Sequence, residues 1–152
     1  MKDYIPNFRV GFTGTRHGMN AYQLEQVRTI LRYAISQGPT VGIHGDCVGA
    51  DRNFHDLCVE LDIEPLCRPC TLQNKRAFTG ALELAPPEHP LNRNWKIVNE
   101  SSIVLAAPSS DVEELRSGTW AAVRYARECF VPLAVILPGG RIQSNARLVK
   151  ST

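Results

Sequence analysis

The sequence predicts an α/β domain, a Rossmann-like three-layer α/β/α fold with a mainly parallel sheet. Short apolar segments alternate with longer segments whose apolar residues recur at helical spacing. Two of the apolar segments, 102–108 and 131–138, are continuous, as is typical of strands buried on both faces. Such alternation of strand and helix favours a parallel sheet covered by helices on both sides.

The first half of the chain contains three predicted strands, over 9–14, 40–45 and 64–69. Two amphipathic helices connect them, and Gly38 and Pro39 end the first of these helices. Their apolar faces are marked by Leu24, Val27, Leu31, Ala34 and Ile35 in the first helix, and by Ala50, Phe54, Leu57, Cys58 and Leu61 in the second.

The second half begins with an irregular stretch, residues 71–92, which contains the breakers Pro86, Pro87 and Pro90. A short helix is expected over 93–100. A further helix joins the two continuous apolar strands, and its larger apolar positions are Trp120, Val123, Tyr125, Ala126 and Cys129. The last dozen residues are polar, and we expect them to be partly disordered.

Length and composition favour one globular domain over residues 1–152, with a core at about 9–140 and a polar C-terminal tail. No apolar run reaches the roughly 20 residues of a membrane span. The N-terminus lacks the apolar segment of a secretory signal. We therefore expect a cytoplasmic protein that does not contact a membrane.

The charged residues bear on the class of ligand. A formal net charge of +2 is too small to indicate binding of a long nucleic acid. Arginines outnumber lysines 13 to 4, and the planar guanidinium group suits phosphate and carboxylate. This composition favours a small phosphorylated ligand over a polyanion.

Five cysteines in a chain of this class indicate free thiols. Cys67 and Cys70 have the spacing of a redox or metal pair, and His44 with Cys47 would complete a zinc set if the fold brought the pairs together. Reduced cysteines are the commoner case in this context, so we expect no metal ion and no cofactor.

Polar turns that contain glycine follow three of the strands, at 14–18, 44–51 and 116–119. The carboxyl ends of parallel strands meet at one edge of the sheet, where such folds bind ligands. Glycine allows close approach of the backbone, and the free N–H groups at a helix start attract anions. The turns therefore predict a shared ligand site, with His17 and Arg116 as contacts. An ordinary helix cap also explains the Ser and Thr at 117–119.

Two aspartates of the second turn have two interpretations that the sequence leaves open. Asp51 either caps the following helix or accepts hydrogen bonds from a ribose or a base. Asp46 either stabilises its own turn or contacts the ligand in the same way.

The order of six short motifs resembles that of the SLOG superfamily. The motifs are GFTGTRHGM, HGDCVGADRNFH, HPLNRNWKIV, SSIVLAAP, RSGTWAAVRYAR and LAVILPGG, and they cover residues 9–140. The YspA-like (cpYpsA-related) branch is the most similar. The DNA-processing protein A family and the Lonely-guy phosphoribohydrolases are more distantly similar.

The resemblance implies a Rossmann-like domain that binds a nucleotide or a nucleotide-derived molecule, and it implies a homo-oligomer. Carried over position by position, it implies these ligand-binding residues: Gly14, Thr15 and Arg16; Gly45, Asp46, Gly49, Ala50 and Asp51; Arg93 and Asn94; Ser117, Gly118 and Thr119.

One departure separates this sequence from the Lonely-guy enzymes, which carry a catalytic glutamate shortly after the Gly-Thr of their motif. Here Gly118 and Thr119 are followed by Trp120, Ala121 and Ala122. We therefore expect binding, as in sensing or sequestering of a small nucleotide-derived ligand. An N-glycosidic hydrolase is the alternative, with Asp46, Asp51 or Glu114 as replacement carboxylates. A single-stranded DNA-binding recombination mediator is a further alternative, although the charge does not favour nucleic acid as a partner.

Overall fold

A seven-stranded sheet forms the middle layer of the protein, whose computed structural model describes residues 7–145. The strands are β1 (Phe8–Gly14), β2 (Thr40–His44), β3 (Glu64–Cys67), β4 (Leu82–Glu83), β5 (Ile103–Ala107), β6 (Leu133–Leu137) and β7 (Arg141–Ser144). Their order across the sheet is β4-β3-β2-β1-β5-β6-β7, and only the β6–β7 pair is antiparallel. The predicted mainly parallel α/β class is confirmed.

Within residues 7–145, four α-helices cover the two faces of this sheet. They are α1 (Ala21–Gln37), α2 (Ala50–Glu60), α3 (Pro90–Glu100) and α4 (Gly118–Glu128). Helices α1 and α2 pack together over one core, in which Phe12 stacks on Phe54 with ring centroids 4.7 Å apart. Helices α3 and α4 pack over the other core, which contains the buried Trp120. The three-layer architecture follows from these two cores. No helix within residues 7–145 is long and apolar enough to span a membrane.

Local sequence explains where the first helix begins and ends. Asn20 caps α1 and forms a reciprocal capping box with Gln23, while Gly38 follows its last turn with φ 154°. The amide of the buried Gln23 side chain also donates to the carbonyl oxygens of Pro108 and Ile136, both at 2.9 Å. A polar residue on the inner face of α1 thereby joins the helix to the carboxyl ends of β5 and β6.

The structure differs from the sequence-based expectations at the proline-rich stretch and at the C-terminus. Pro90 begins α3 and does not interrupt it, because proline fits the first helical position. Part of the tail expected to be disordered forms β7, which returns antiparallel to β6 after Gly140, a residue with φ 107°. The remainder of that tail, 146–152, lies outside the described residues. The predicted core positions Ile35 and Cys129 are exposed.

The strand order places a topological switch point at the centre of the sheet. From β1 the chain moves outward through β2 and β3, and it later returns to build β5 and β6 on the other side. Strands β1 and β5 are therefore neighbours whose following loops diverge. Ligands of open α/β sheets bind in the crevice that such a divergence creates.

Candidate functional site

A cavity of about 530 Å³ opens at this switch point, outside the carboxyl ends of the strands. The three polar turns singled out in the sequence contribute to it, together with the start of α3. Most of the predicted ligand-binding residues line the cavity: Gly14, Thr15, Arg16, His17, Gly45, Asp51, Arg93, Asn94, Arg116, Ser117, Gly118 and Thr119. Glu114 lines it as well, whereas Asp46, Gly49 and Ala50 do not.

Gly49 and Ala50 support the first turn from behind. The amide of Ala50 donates to the carbonyl oxygen of Thr15 at 2.8 Å. Gly49 has φ 88°, and a Cβ atom there would lie 2.2 Å from the carbonyl oxygen of Arg16. Glycine is required at this position by both the backbone and the space. These two residues therefore position the Thr15–Arg16 turn and do not themselves face the cavity.

The side chain of Asp46 is bonded to a segment far away in the sequence. Its buried carboxylate accepts hydrogen bonds from Arg76 and Thr79, and its backbone has φ 58°. Burial opposes ionisation, but the hydrogen bonds from Thr79 and Arg76 outweigh it and leave the pKa of Asp46 below its ordinary value. Both oxygens of this carboxylate are bonded within the protein, and Asp46 does not line the cavity.

Asp51 lines the cavity but is also engaged by its own turn. Its Oδ2 accepts from the amides of Gly45 and Cys47, both at 3.1 Å. Gly49, and not Asp51, is the N-cap of α2. Burial raises the pKa of Asp51 to about 6, against the opposing effects of Arg93 and the two amides. The carboxylate holds the second turn in shape at the floor of the cavity.

His44, behind the same turn, is a packed histidine. Its Nδ1 accepts from the amide of Asp46 at 2.8 Å, and its Nε2 lies 3.2 Å from Nδ1 of His55. Burial lowers the pKa of His44 to about 4, so the ring is neutral. The histidine pair thus adds a third internal support for the second turn.

Arg93 crosses the wall of the cavity and is only 5% exposed. Nη1 donates to the carbonyl oxygens of Gly45 (2.6 Å) and Arg68 (3.2 Å), and Nε donates to Oδ1 of Asn94 at 2.7 Å. Nη2 has only the thiol sulfur of Cys47, at 3.6 Å. The positive charge of Arg93 acts to lower the pKa of Asp51. No carboxylate of residues 7–145 forms an ion pair with the guanidinium group.

Two other arginine side chains with little exposure form ion pairs with carboxylates. Arg68, 13% exposed, pairs with Glu88 and Glu100, and Arg76, 10% exposed, pairs with Asp46 and Glu83. A charge removed from water is strongly unfavourable unless a counter-charge is near. Arg93 is thus a buried cation without the direct ion pairs of Arg68 and Arg76, and it faces a cavity.

Helix α4 begins at the opposite wall. Ser117 is its N-cap, with Oγ accepting from the amide of Trp120 at 3.2 Å, so the capping interpretation holds for Ser117. Gly118 is different, because a Cβ atom there would meet nothing within 4 Å and its φ is not positive. The fold does not require glycine at 118. The missing side chain leaves the first turn of α4 open toward the cavity.

The five cysteines are free thiols. Among the described residues, no group of three or more His, Cys, Asp or Glu side chains is placed to hold a metal ion. The Cys67 thiol contacts the carbonyl oxygen of Ala81, whereas Cys47 and Cys70 line the cavity. Burial raises the pKa of the Cys47 thiol to about 12, which keeps it protonated.

Sequence reasoning missed several lining residues, of which Lys75 is the most important. Lys75 lies in a short 3-10 helix, Gln73–Lys75, inside the stretch that carries no periodic pattern. Only a contact between segments far apart in sequence places it here, since the amide of Val48 donates to its carbonyl oxygen at 2.9 Å. Ser109, Cys70 and Pro90 also line the cavity, although the sequence did not predict them as ligand contacts.

Comparison with known proteins supports the architecture. The chain is similar to the solved structure of the molybdenum cofactor binding protein from the phototrophic bacterium Rippkaea orientalis, with a TM-score of 0.67 and 15% sequence identity. The similarity covers 88% of this chain and 78% of that one. No protein-family profile matches the sequence, and no curated protein matches it significantly. At this identity the likeness shows the fold alone.

Proposed function

We propose that this chain is a SLOG-type binding domain that holds a small, anionic, nucleotide-derived ligand in the cavity at the switch point. The observation that carries the proposal is the buried guanidinium group of Arg93, which forms no ion pair with a carboxylate among residues 7–145. A phosphate oxygen near Nη2, whose contact within residues 7–145 is the thiol of Cys47, would supply that partner through a charge-assisted hydrogen bond.

The charge balance of the cavity supports an anion. Its walls contain four cationic side chains, Arg16, Lys75, Arg93 and Arg116, against two carboxylates, Asp51 and Glu114. Asp51 is already occupied by two backbone amides. The open first turn of α4 adds free N–H groups and the positive end of a helix dipole.

Size and similarity support a small molecule. A cavity of about 530 Å³ falls within the usual range of ligand pockets, which is about 300–1,000 Å³. The similar solved structure bears the name of a cofactor-binding protein, in agreement with a ligand-binding role for this architecture. The YspA-like branch, the nucleotide nature of the ligand and the homo-oligomer are parts of the proposal that come from the sequence resemblance. The cytoplasmic location is a part that comes from the apolar pattern of the sequence.

Hydrolysis of an N-glycosidic bond is the weaker candidate. Asp46 does not line the cavity, and Oδ2 of Asp51 already accepts from two backbone amides, so Glu114 is the least engaged of the three carboxylates proposed from the sequence. We expect no release of free base from purine nucleoside monophosphates within hours. Chromatographic detection of turnover that Glu114→Gln removes would reassign the protein to the hydrolases.

The proposal is tested by mass spectrometry of the small molecules released when the purified protein is denatured, followed by calorimetric titration of a purine nucleotide panel. Arg93→Gln should weaken binding about 100-fold, because it removes the charge-assisted contact. Arg52→Gln is the matched control, since Arg52 pairs with Asp56 on the exposed side of α2. Absence of any released or titrated nucleotide, or equal affinity in both variants, would reject the proposal.

The salt dependence of binding distinguishes a small ligand from a nucleic acid. A single-stranded DNA binder that neutralises six phosphates loses affinity with a logarithmic salt slope of about −4, whereas a mononucleotide shows a much shallower slope. We expect oligonucleotide binding to vanish near physiological salt while mononucleotide binding persists. Oligonucleotide affinity that survives physiological salt, without competition by a nucleotide, would favour the recombination-mediator alternative.

A further inference from the structure

Two buried side chains of opposite charge, Arg93 and Asp51, converge on Gly45 in the cavity. Arg93 is 5% exposed and Asp51 is 4% exposed. A Cβ atom on Gly45 would lie 2.6 Å from Nη1 of Arg93 and 3.0 Å from Oδ2 of Asp51, so these two atoms are at most about 5.6 Å apart, the sum of the two distances. The groups do not form an ion pair, and the guanidinium charge acts on the carboxylate through space.

The carboxylate of Asp51 is held by one of its oxygens. Oδ2 accepts from the amides of Gly45 and Cys47, both at 3.1 Å, so a proton added to this carboxylate goes to Oδ1. Burial raises the pKa of Asp51 to about 6, although the charge of Arg93 and the two amides act to lower it. At neutral pH the group is therefore ionised, and the charge of Arg93 is one of the reasons.

An anion bound beside Arg93 removes this support for the ionised form. Its negative charge offsets that of the guanidinium group, and it also repels the carboxylate directly. Unit charges about 5 Å apart, at an effective dielectric constant of about 20, change a proton affinity on the order of 100-fold. A bound anion therefore favours protonation of Asp51 at neutral pH.

The charged and titratable groups around Asp51 come from several elements. Besides Arg93 of α3, the thiols of Cys47 and Cys67 interact with its charge, and burial raises the pKa of each thiol to about 12, so both stay protonated. The rest of the cavity wall carries the cations Arg16, Lys75 and Arg116 and the proton-binding groups His17, Cys70 and Glu114. Among these, His17 and Cys70 are the competing sites for a proton that the experiment has to separate from Asp51.

We infer that the cavity takes up a proton together with its anion, and that Asp51 is the group that receives this proton. The proton comes from the solvent, and it converts a repelling carboxylate into a neutral carboxylic acid. Asp51 thereby makes the affinity depend on the charge of the ligand and on pH. This inference rests on the proposed function, and it adds the control of the same site by protons.

The experiment is a calorimetric titration of adenosine and guanosine 5′-monophosphate in buffers of different ionisation enthalpy, which measures the protons taken up on binding. At pH 7.5 the phosphate is a dianion, because its second pKa is about 6, so it has almost no proton to release. Wild-type protein should take up about 0.7 proton per bound nucleotide. Its affinity should fall about fivefold from pH 7 to pH 8.

Asp51→Asn identifies the receiving group. This variant should lose both the proton uptake and the change in affinity between pH 7 and pH 8, and it should bind about tenfold more tightly than wild type at pH 8, because the repelling charge is gone. A residue that only supported the turn would weaken binding when replaced. Asp56→Asn is the matched control with unchanged uptake, since Asp56 is an exposed aspartate of α2 that pairs with Arg52.

A spectroscopic measurement on the wild type keeps the test independent of that variant. Difference infrared spectroscopy should show a carboxylic acid band that appears when either nucleotide binds. If Asp51→Asn fails to fold, this band and the uptake in wild type decide the question. Uptake without the band would place the proton on another group and overturn the inference.

The outcomes separate the proposed function from the inference. No binding of either nucleotide by the wild type overturns both. Binding without proton uptake overturns the inference alone. Uptake that persists in Asp51→Asn, or that is lost in His17→Gln or Cys70→Ser, also overturns it, because the proton would then reside at one of the competing sites.

Discussion

The turn after β2 and the turn before α4 have similar glycine-containing, polar sequences but opposite internal bonding. In the second turn, the carboxylate of Asp46 binds Arg76 and Thr79, and the side chains of Asp51 and His44 accept from backbone amides of the turn. At the start of α4, Ser117 caps the helix, a Cβ atom at Gly118 would meet nothing within 4 Å, and the Arg116 side chain has no hydrogen bond or ion pair with a residue in 7–145. Polar groups that form hydrogen bonds within the protein shape the cavity, and polar groups without such bonds are available to a ligand.

The strongest test of this contrast substitutes one glycine in each turn, Gly49 and Gly118. Gly49→Ala should lower the free energy of unfolding by about 3 kcal/mol, because the new Cβ atom meets the Arg16 carbonyl at 2.2 Å in a left-handed backbone conformation. Thermal denaturation should show a melting temperature about 10 °C lower. A loss below about 1 kcal/mol would mean that the turn relaxes freely, which would end its description as a rigid support.

Gly118→Val should reduce nucleotide affinity and leave stability almost unchanged. A Cβ atom at this position meets no protein atom within 4 Å, so the melting temperature should stay within about 2 °C of the wild type. Nucleotide affinity should fall about 100-fold, since the side chain fills the space in front of the free N–H groups of α4. Calorimetry on both proteins measures this, with Gly118→Ala expected to be intermediate. Unchanged affinity in Gly118→Val would return the turn to a simple helix cap.

Arg116→Ala gives a smaller effect at the same wall. The side chain is exposed and lines the cavity, so its contact with a phosphate is partly solvated and its loss should weaken binding about tenfold. Arg127→Ala is a matched control, because Arg127 is an exposed arginine of α4 that faces Glu113. Equal titrations of the two variants would remove Arg116 from the site.

Asp51→Asn should change the pH dependence of the free energy of unfolding, and this effect should be smaller than the effects of the glycine and arginine substitutions. The folded-state pKa of Asp51, about 6, lies above its ordinary value of 3.8, so the folded protein binds the proton more tightly than the unfolded chain. Asp51 therefore adds stability as the pH falls from 7 toward 4. Between pH 7 and pH 5, wild type should gain about 1 kcal/mol relative to the variant in urea denaturation. His44, whose pKa is lowered, acts in the opposite direction in both proteins.

An unchanged difference between wild type and Asp51→Asn across that range would show that Asp51 is ionised as easily in the folded protein as in the unfolded chain. The two backbone bonds to its Oδ2 would then outweigh its burial.

The sequence was sufficient to predict the parallel sheet and the edge where the cavity forms. Continuous apolar runs such as 102–108 mark buried strands, and the position of a turn at the end of a strand fixes the edge to which it belongs. Residue types with two uses were not resolved by sequence. Asp46 and Asp51 differ only in which groups reach them, and Arg76 and Thr79 lie 30 and 33 residues from Asp46.

The position of Lys75 at the cavity was also not predictable from local sequence. It belongs to a segment without periodicity, and its place at the cavity depends on backbone pairing with Val48. Likewise β7 is short and polar, and its pairing depends on the turn at Gly140 more than on its own residues. Contacts between distant segments decide such positions, and local propensity does not report them.

The two edges of the sheet bear on how copies of this protein can associate. At one edge, β4 is two residues long with both side chains exposed, and at the other, β7 presents Arg141 and Gln143. Short or charged edge strands are poor templates for pairing with another chain, which protects against aggregation by sheet extension. Within residues 7–145, the edge strands therefore favour association of identical copies through surfaces other than the sheet edges.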